Sequence, residues 1–238
     1  MGAADVWIVS IPDRPEAVDA ALGIVSPEER TRAERFRHAA DRASYLCGHA
    51  ALRVLLGGQR HIPYEARSFA LGSHGKPFLA DAAVRFNLSR SGARALVGIC
   101  GDGEIGVDIE RCDQGDATHD VARSSFSGAE RAWIAAAAGD DERLQRFIRL
   151  WVIREALVKA TGSGLSRSMA DIAISIDDGV PSMAGEETWH MAEPPPEMSQ
   201  CLQGYAAAAV VPRGCVVTWH GTSWPELAAR VSSPPPAR

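Results

Sequence analysis

One stretch, DDERLQRFIRLWVIREALVKATGSGL at Asp140–Leu165, constrains the fold more than any other. It reads as a single long helix. Gly139 separates it from what precedes, and Asp140, Asp141 and Glu142 place negative charge in the first turn, where the helix dipole favours it. Gly162 is a natural stop just past the helix. At about 100° per residue, Leu144, Phe147, Ile148, Trp151 and Val158 share one side, while Ile153 and Leu157 blur the stripe. Glu155 falls near the middle of that stripe, with Lys159 one turn on at its edge. A carboxylate on a packing face is costly unless its charge is compensated. An i,i+4 pair with Lys159 on a partly wet face is one solution. The other is a charge supplied from elsewhere in the chain.

Length and charge narrow the setting. A chain of 238 residues has room for one large domain or two small ones, each with a real core. The net charge of −5 lends no bulk support to a nucleic-acid partner, and none is expected. The N-terminal MGAADVWIVSIPDRP has neither the basic start nor the apolar core of a signal peptide, and Val6 breaks the myristoylation pattern. No apolar run is long enough to span a bilayer, so no membrane association is expected. The five cysteines (Cys47, Cys100, Cys112, Cys201 and Cys215) are scattered, with no CxxC pair. That pattern predicts reduced thiols in a cytoplasmic protein, not a disulfide framework or a zinc site.

In chain order, Asp5–Ile11 reads as a strand ended by Pro12. Ser26-Pro27-Glu28-Glu29 opens a helix with a capping box, and the helix carries Arg32 among several arginines that suit a solvated face. A second helix, which includes Arg42, runs from about Asp41 to Leu56 and should end at Gly57-Gly58. Short strands joined by Gly-rich turns follow. Gly75-Lys76-Pro77 presents a lysine on a turn but lacks the spacing of a Walker loop. Phe86–Ser89 is a strand, Ser89-Arg90-Ser91-Gly92 a polar turn, and Ala95–Cys100 a buried strand. Gly101, Gly103 and Gly106 match G-x-G-x-x-G on paper. A dinucleotide loop would open a helix there, whereas Val107-Asp108-Ile109-Glu110 alternates like a strand, so the glycines are expected to form a hairpin turn. A second capping box, Ser127 to Glu130, precedes the long helix. Strands are expected at Asp171–Ile176, Tyr205–Val211 and Cys215–His220. The order predicts an α+β fold of two similar halves, residues 1–110 and 111–230, with 231–238 as a disordered tail.

Within GVDIE, Asp108 and Glu110 lie on one strand face about 6.6 Å apart, while Val107 and Ile109 point to the other. A half-exposed strand with a polar face has this pattern. So does a hard-cation site: two strand carboxylates joined by Glu155 from the helix would offer oxygen ligands suited to Mg²⁺ and compensate the misplaced helix charge.

FNLSRSG, GVDIER and WVIREALVKATGSGLS occur in that order, with GKP and SPEER upstream. Together they resemble the signatures of the Sfp-type 4′-phosphopantetheinyl transferases, over about residues 26–176. The resemblance implies transfer of the 4′-phosphopantetheine arm of coenzyme A to a serine of an apo acyl or peptidyl carrier protein, releasing adenosine 3′,5′-bisphosphate. It implies two pseudo-symmetric α+β halves, each with helices on a small, mainly antiparallel sheet, with coenzyme A in the cleft between them and the chain a monomer. By motif match, Asp108, Glu110 and Glu155 would hold Mg²⁺, or Mn²⁺. Glu155 would also be the base for the carrier serine, and Lys159 would stabilise the leaving phosphate. Lys76, Ser89 and Arg90 would contact the phosphates at the adenosine end, joined by Arg32 and Arg42. Size and two-half pattern fit the members that serve polyketide, nonribosomal peptide and siderophore synthesis.

Two departures stand out. Arg90 replaces the family histidine; it should keep phosphate binding, because guanidinium is always charged, but cannot titrate. Arg154 replaces the lysine before the helix glutamate and, being off the stripe centre, is expected to matter little to the chemistry. His49 stands where many relatives carry a basic residue. Competing readings are a Mg²⁺-dependent phosphoesterase on the same carboxylates and a non-catalytic coenzyme A-binding relative.

Overall fold

The structure, a computed structural model, describes residues 2–60, 69–80, 84–113, 125–162, 172–183 and 186–232. The residues expected to form the tail lie outside these from 233 on, while α6 (Trp224–Ser232) covers 231 and 232. Sheet one has the order β11-β1-β5-β4, built from β1 (Ala3–Ser10), β4 (Arg85–Ser91), β5 (Arg94–Cys100) and β11 (Val216–Ser223). Its neighbours are antiparallel except β1 and β11, which run parallel. Sheet two, all antiparallel, has the order β6-β10-β9, from β6 (Gly106–Arg111), β9 (Trp189–Ala192) and β10 (Tyr205–Pro212). Two small hairpins complete the strands: β2 (Ala70–Leu71) with β3 (Pro77–Phe78), and β7 (Ser175–Asp177) with β8 (Val180–Ser182).

Strict alternation along the central strands produces four layers. On β5, Ala95, Val97 and Ile99 face α1 (Pro15–Leu22), α3 (Ala39–Arg60) and α6. Leu96 and Cys100 face the other way, into a core shared with Val107 and Ile109 of β6 and Ala207, Ala209 and Val211 of β10. Ala208 and Val210 of β10 turn to the long helix α5 (Asp140–Thr161). The layers are therefore helices, sheet one, sheet two, helices. Strands buried on both faces are apolar throughout, as Ala95–Cys100 is.

Four expectations change, the first being that Ser89-Arg90-Ser91, expected in a turn, is the end of strand β4. The glycine-rich segment is not a hairpin turn, because β5 and β6 belong to different sheets and the segment crosses between them. Likewise β10 and β11 flank a tight turn without pairing. β11 instead joins β1 in sheet one, and α6 packs with it on the first-half core. Helix α3 continues through Gly57-Gly58 to Arg60, since two glycines lower helix propensity without forbidding it. Position 171 lies outside the described residues, and strand β7 starts only at Ser175.

The two halves share a lock. Ser26 caps α2 (Pro27–Ala33) in a capping box with Glu29, and Glu29 Oε2 accepts from Arg53 Nε at 2.9 Å, 24 residues on. Ser127 caps α4 (Gly128–Ala135) with Glu130, and both oxygens of Glu130 accept from Arg154 Nη2 at 2.6 and 2.7 Å, again 24 residues on. Each arginine also lies 4.7 Å from a phenylalanine ring centre, Arg53 over Phe69 and Arg154 over Phe126. This repeated device fastens the short capped helix of each half to its long one.

Arg154 is thus a core residue, 1% exposed against a fully buried Glu130. Its neighbours explain the blurred stripe: α5 is covered by sheet two on one side and by α4, Ile172, Ile174 and Met183 elsewhere, so Ile153 and Leu157 are buried too. Arg154→Met should strand the Glu130 charge and lower stability by about 3–5 kcal/mol. Urea unfolding checks this, and the double variant Glu130→Leu/Arg154→Met should recover most of the loss.

Candidate functional site

A cavity of about 710 Å³ opens between the halves, walled by α2, α3 and β4 on one side and by β6 and α5 on the other. Its reactive wall exists because of one glycine. Gly106 starts β6 so close to α5 that a Cβ there would sit 1.9 Å from Ala156 O and 2.2 Å from Ala160 N. Bare backbone against backbone brings the helix side chains of Glu155 and Lys159 over the face of β6 that carries Asp108 and Glu110. The cross-strand partners on that face, Ala208 and Ala206, are small and leave the acids room.

Asp108 is 2% exposed, and its Oδ1 accepts from Lys159 Nζ at 2.6 Å and from Ser89 Oγ at 2.7 Å. Lys159 Nζ also reaches Ser89 Oγ at 3.1 Å. Asp108 Oδ2 is buried and has no hydrogen-bond partner among the described residues. Glu110 Oε2 accepts from Ser91 Oγ at 2.8 Å. Burial, then the charge of Asp108, raises the pKa of both Glu110 and Glu155, against opposing help from Ser91 and Lys159 respectively. An orphaned carboxylate oxygen beside two acids resisting ionisation is a wall short of positive charge. Among the described residues, no three His, Cys, Asp or Glu side chains stand close enough together to form a finished metal cage. The donor set nonetheless suits a hard cation that draws in part of its coordination from water and ligand.

The other wall is cationic. Arg90 and Arg32 place their guanidinium carbons 5.0 and 5.9 Å from the centre of the Tyr45 ring. Burial pulls the Arg90 pKa down, and the like charge of Arg32 acts in the same sense. An anion in the cavity would relieve both. His49, one helical turn after Tyr45, hydrogen-bonds through Nδ1 to Tyr45 O at 2.9 Å. That bond makes Nδ1 the protonated nitrogen of a neutral ring.

Burial pushes the His49 pKa down to about 4, Glu29 opposing. The unfolded chain takes up this proton near pH 6.5, before the folded one does, so stability should fall as pH drops from 6.5 towards 4. The full loss is on the order of 3 kcal/mol at 1.36 kcal/mol per pKa unit. Thermal melts of the protein and of His49→Gln between pH 7 and 4.5 should diverge, with the variant flatter.

Asp108, Glu110, Glu155, Lys159, Ser89, Arg90 and Arg32 therefore meet in one cavity. Two candidates do not. Arg42 lines a separate groove with Asp13, Arg14 and Arg37. Lys76 turns away from the cleft: its Nζ binds Glu104 Oε2 at 2.7 Å, Ile105 O at 3.0 Å and Ala160 O at 3.2 Å. A lysine on a carbonyl in the last turn of α5 is held by the negative end of the helix dipole. Tyr45, Trp151 and Ser91 join the site or its frame without having been singled out, and His49, noted for its place in the sequence, lines the same cavity. The polar alternation Asn87, Ser89, Ser91 in a buried strand was the available signal for Ser91.

Comparison with known proteins supplies independent findings. A family model described as the 4′-phosphopantetheinyl transferase superfamily matches residues 104–210, and one described as 4′-phosphopantetheinyl transferase, N-terminal, matches residues 12–101. A 4′-phosphopantetheinyl transferase of Bacillus subtilis is 31% identical over 172 residues, covering 70% of this chain and 75% of the relative. HetI of Nostoc, a 4′-phosphopantetheinyl transferase, is 28% identical over 209 residues, 85% of this chain and 86% of that protein. Sfp of Bacillus subtilis strain 168 is 29% identical over 168 residues, 69% and 73% of the two chains.

Proposed function

The chain belongs to the 4′-phosphopantetheinyl transferase superfamily and is a transferase, and on that premise we propose that coenzyme A is its donor, an apo acyl or peptidyl carrier protein its acceptor, and Mg²⁺ its metal. The observation that carries this reading is the buried, unpartnered Oδ2 of Asp108, a residue that lines the same cavity as Arg32 and Arg90. Negative groups and a cation are each wanted there, as a metal-bound pyrophosphate would supply.

Asp108, Glu110 and Glu155 would hold the metal, which when bound neutralises charge on the pyrophosphate. Arg90 and Arg32 bind and orient the phosphates at the adenosine end. Phosphoryl transfer needs positioning and charge neutralisation more than covalent help from the protein. Glu155, its pKa raised towards the range useful for a general base, takes the proton of the carrier serine hydroxyl. The serine oxygen bonds to the phosphorus carrying the pantetheine arm, and the bond to the adenosine 3′,5′-bisphosphate breaks. Lys159 stabilises the charge that appears on that leaving group. Mn²⁺ would serve the same oxygen ligands.

A monomer is part of this reading. Among the described residues no helix is long and apolar enough to cross a membrane. A cytoplasmic setting, without nucleic-acid or membrane partners, and service to polyketide, nonribosomal peptide or siderophore synthesis remain part of this reading. The test is intact-mass analysis of apo carrier proteins incubated with the protein, coenzyme A and Mg²⁺. The expected result is a gain of one phosphopantetheine arm that EDTA abolishes. Hydrolysis of coenzyme A without carrier would replace this reading with a phosphoesterase. Coenzyme A binding with no transfer to any carrier would replace it with a non-catalytic relative.

A further inference from the structure

Sheets one and two meet along β4 and β6 without a backbone ladder between these two strands. Side chains stitch them instead. Asn87, Ser89 and Ser91 alternate along β4 on one face and are 6%, 7% and 6% exposed. Asn87 Oδ1 accepts from Val107 N at 2.9 Å. Ser89 Oγ donates to Asp108 Oδ1 at 2.7 Å. Ser91 Oγ donates to Glu110 Oε2 at 2.8 Å and accepts from Arg111 N at 3.1 Å. The strands come this close beside Gly98, where a Cβ would meet Val107 Cγ1 at 2.6 Å.

The two acids are held unequally. Asp108 is short and clasped by both Lys159 and Ser89. Glu110 is longer, lies at the more open end of β6, and has Ser91 as its hydrogen-bond donor. The direction of that bond is set by chemistry: an ionised carboxylate only accepts, so the hydroxyl proton must go to Glu110. The Arg111 N–H occupies a lone pair of the same hydroxyl and fixes its orientation.

We infer that Ser91 is a positioning residue that holds the Glu110 carboxylate in the orientation needed to bind the divalent cation. The inference rests on the metal reading given above. A freed Glu110 would spread over several rotamers and meet the cation only part of the time. Partners that orient a metal ligand commonly change metal affinity by about 10- to 100-fold when removed.

The test uses the full chain without substrates. Free Mn²⁺ is titrated with protein and followed by its electron paramagnetic resonance signal. In parallel, the Mg²⁺ concentration giving half-maximal transfer is measured. Ser91→Ala should weaken Mn²⁺ binding about 10-fold and raise the Mg²⁺ half-saturation by a similar factor, with kcat largely restored at saturating Mg²⁺. Ser91→Thr keeps the hydroxyl and should restore Mn²⁺ affinity, even if the added methyl lowers Tm. Wild-type Mn²⁺ affinity in Ser91→Ala would overturn the proposal and leave the metal reading standing. So would a loss of kcat that saturating Mg²⁺ does not recover. A native protein that neither binds Mn²⁺ nor needs a divalent cation would overturn the metal reading, and this proposal with it.

Discussion

Glu155→Gln should reduce phosphopantetheine transfer by about 10³-fold or more, the scale of removing a positioned general base, while making the metal-free protein more heat-stable. The two effects share one cause. Burial and the charge of Asp108 raise the Glu155 pKa in the fold, with Lys159 offsetting part of the rise. As pH climbs through the window between the unfolded and folded pKa values, the unfolded chain gives up its proton first, so stability falls. Above that window the charge therefore weakens the apo fold, and an uncharged isostere of the same size removes the penalty. Each kcal/mol recovered should raise Tm by roughly 2–4 °C for a chain of this length. Differential scanning calorimetry without metal checks the stability and carrier mass shift checks the activity. Added Mg²⁺ should stabilise the native protein more than the variant. A variant that is both active and no more stable than the native chain would remove Glu155 from the site.

Among the described glycines, Gly106→Ala should be the most damaging added methyl. The new Cβ would meet Ala156 O at 1.9 Å, Ala160 N at 2.2 Å and Ala160 Cα at 2.9 Å. All three are backbone atoms of α5, so no rotamer can move aside and the whole helix must shift. Overpacking a core commonly costs 1–3 kcal/mol, and a backbone clash belongs at or beyond the top of that range, about 3–5 kcal/mol. The displaced helix would also draw Lys159 off Asp108, so protein that still folds should transfer poorly. The control lies in the same motif. Nothing is within 4 Å of a Cβ at Gly101, and Gly101→Ala should stay within about 0.5 kcal/mol of the native chain. Urea denaturation of both variants, with activity measured on the soluble fraction, decides the matter. Equal stability of the two would mean that α5 is not pinned by backbone contact at Gly106.

Much of this was legible locally. Charge in the first turn and Gly162 in the left-handed conformation, φ 63°, bound the long helix as its sequence predicts, to Asp140–Thr161. Both capping boxes form with their reciprocal bonds. The alternation of GVDIE put Asp108 and Glu110 on the face away from Val107 and Ile109, and the fold lays α5 across that face. Less legible were residues whose role depends on how far a side chain reaches. Lys76 and Arg42 look like phosphate ligands on turn and helix, yet one spans to Ala160 O and the other lines a different groove. Arg154 looked peripheral by helix projection, but α4 covers that side of α5 and makes it the partner of Glu130.

The sequence by itself determined what is periodic or chemically local: helix limits, capping, the strand alternation and the set of acids and bases available. Such features depend on residues a few positions apart, and one chain segment contains them all. Only the tertiary structure decided which sheet each strand joined. β11 runs parallel to β1, and β6 leaves its chain neighbour β5 for β10. Tertiary structure also decided which charges met. Asp108 and Lys159 are 51 residues apart and Ser89 and Lys159 are 70 apart, and they touch only because Gly106 admits the helix. Pairing over such distances is selected by the packing of whole layers, in which the apolar faces must be buried together, and no local pattern encodes that choice.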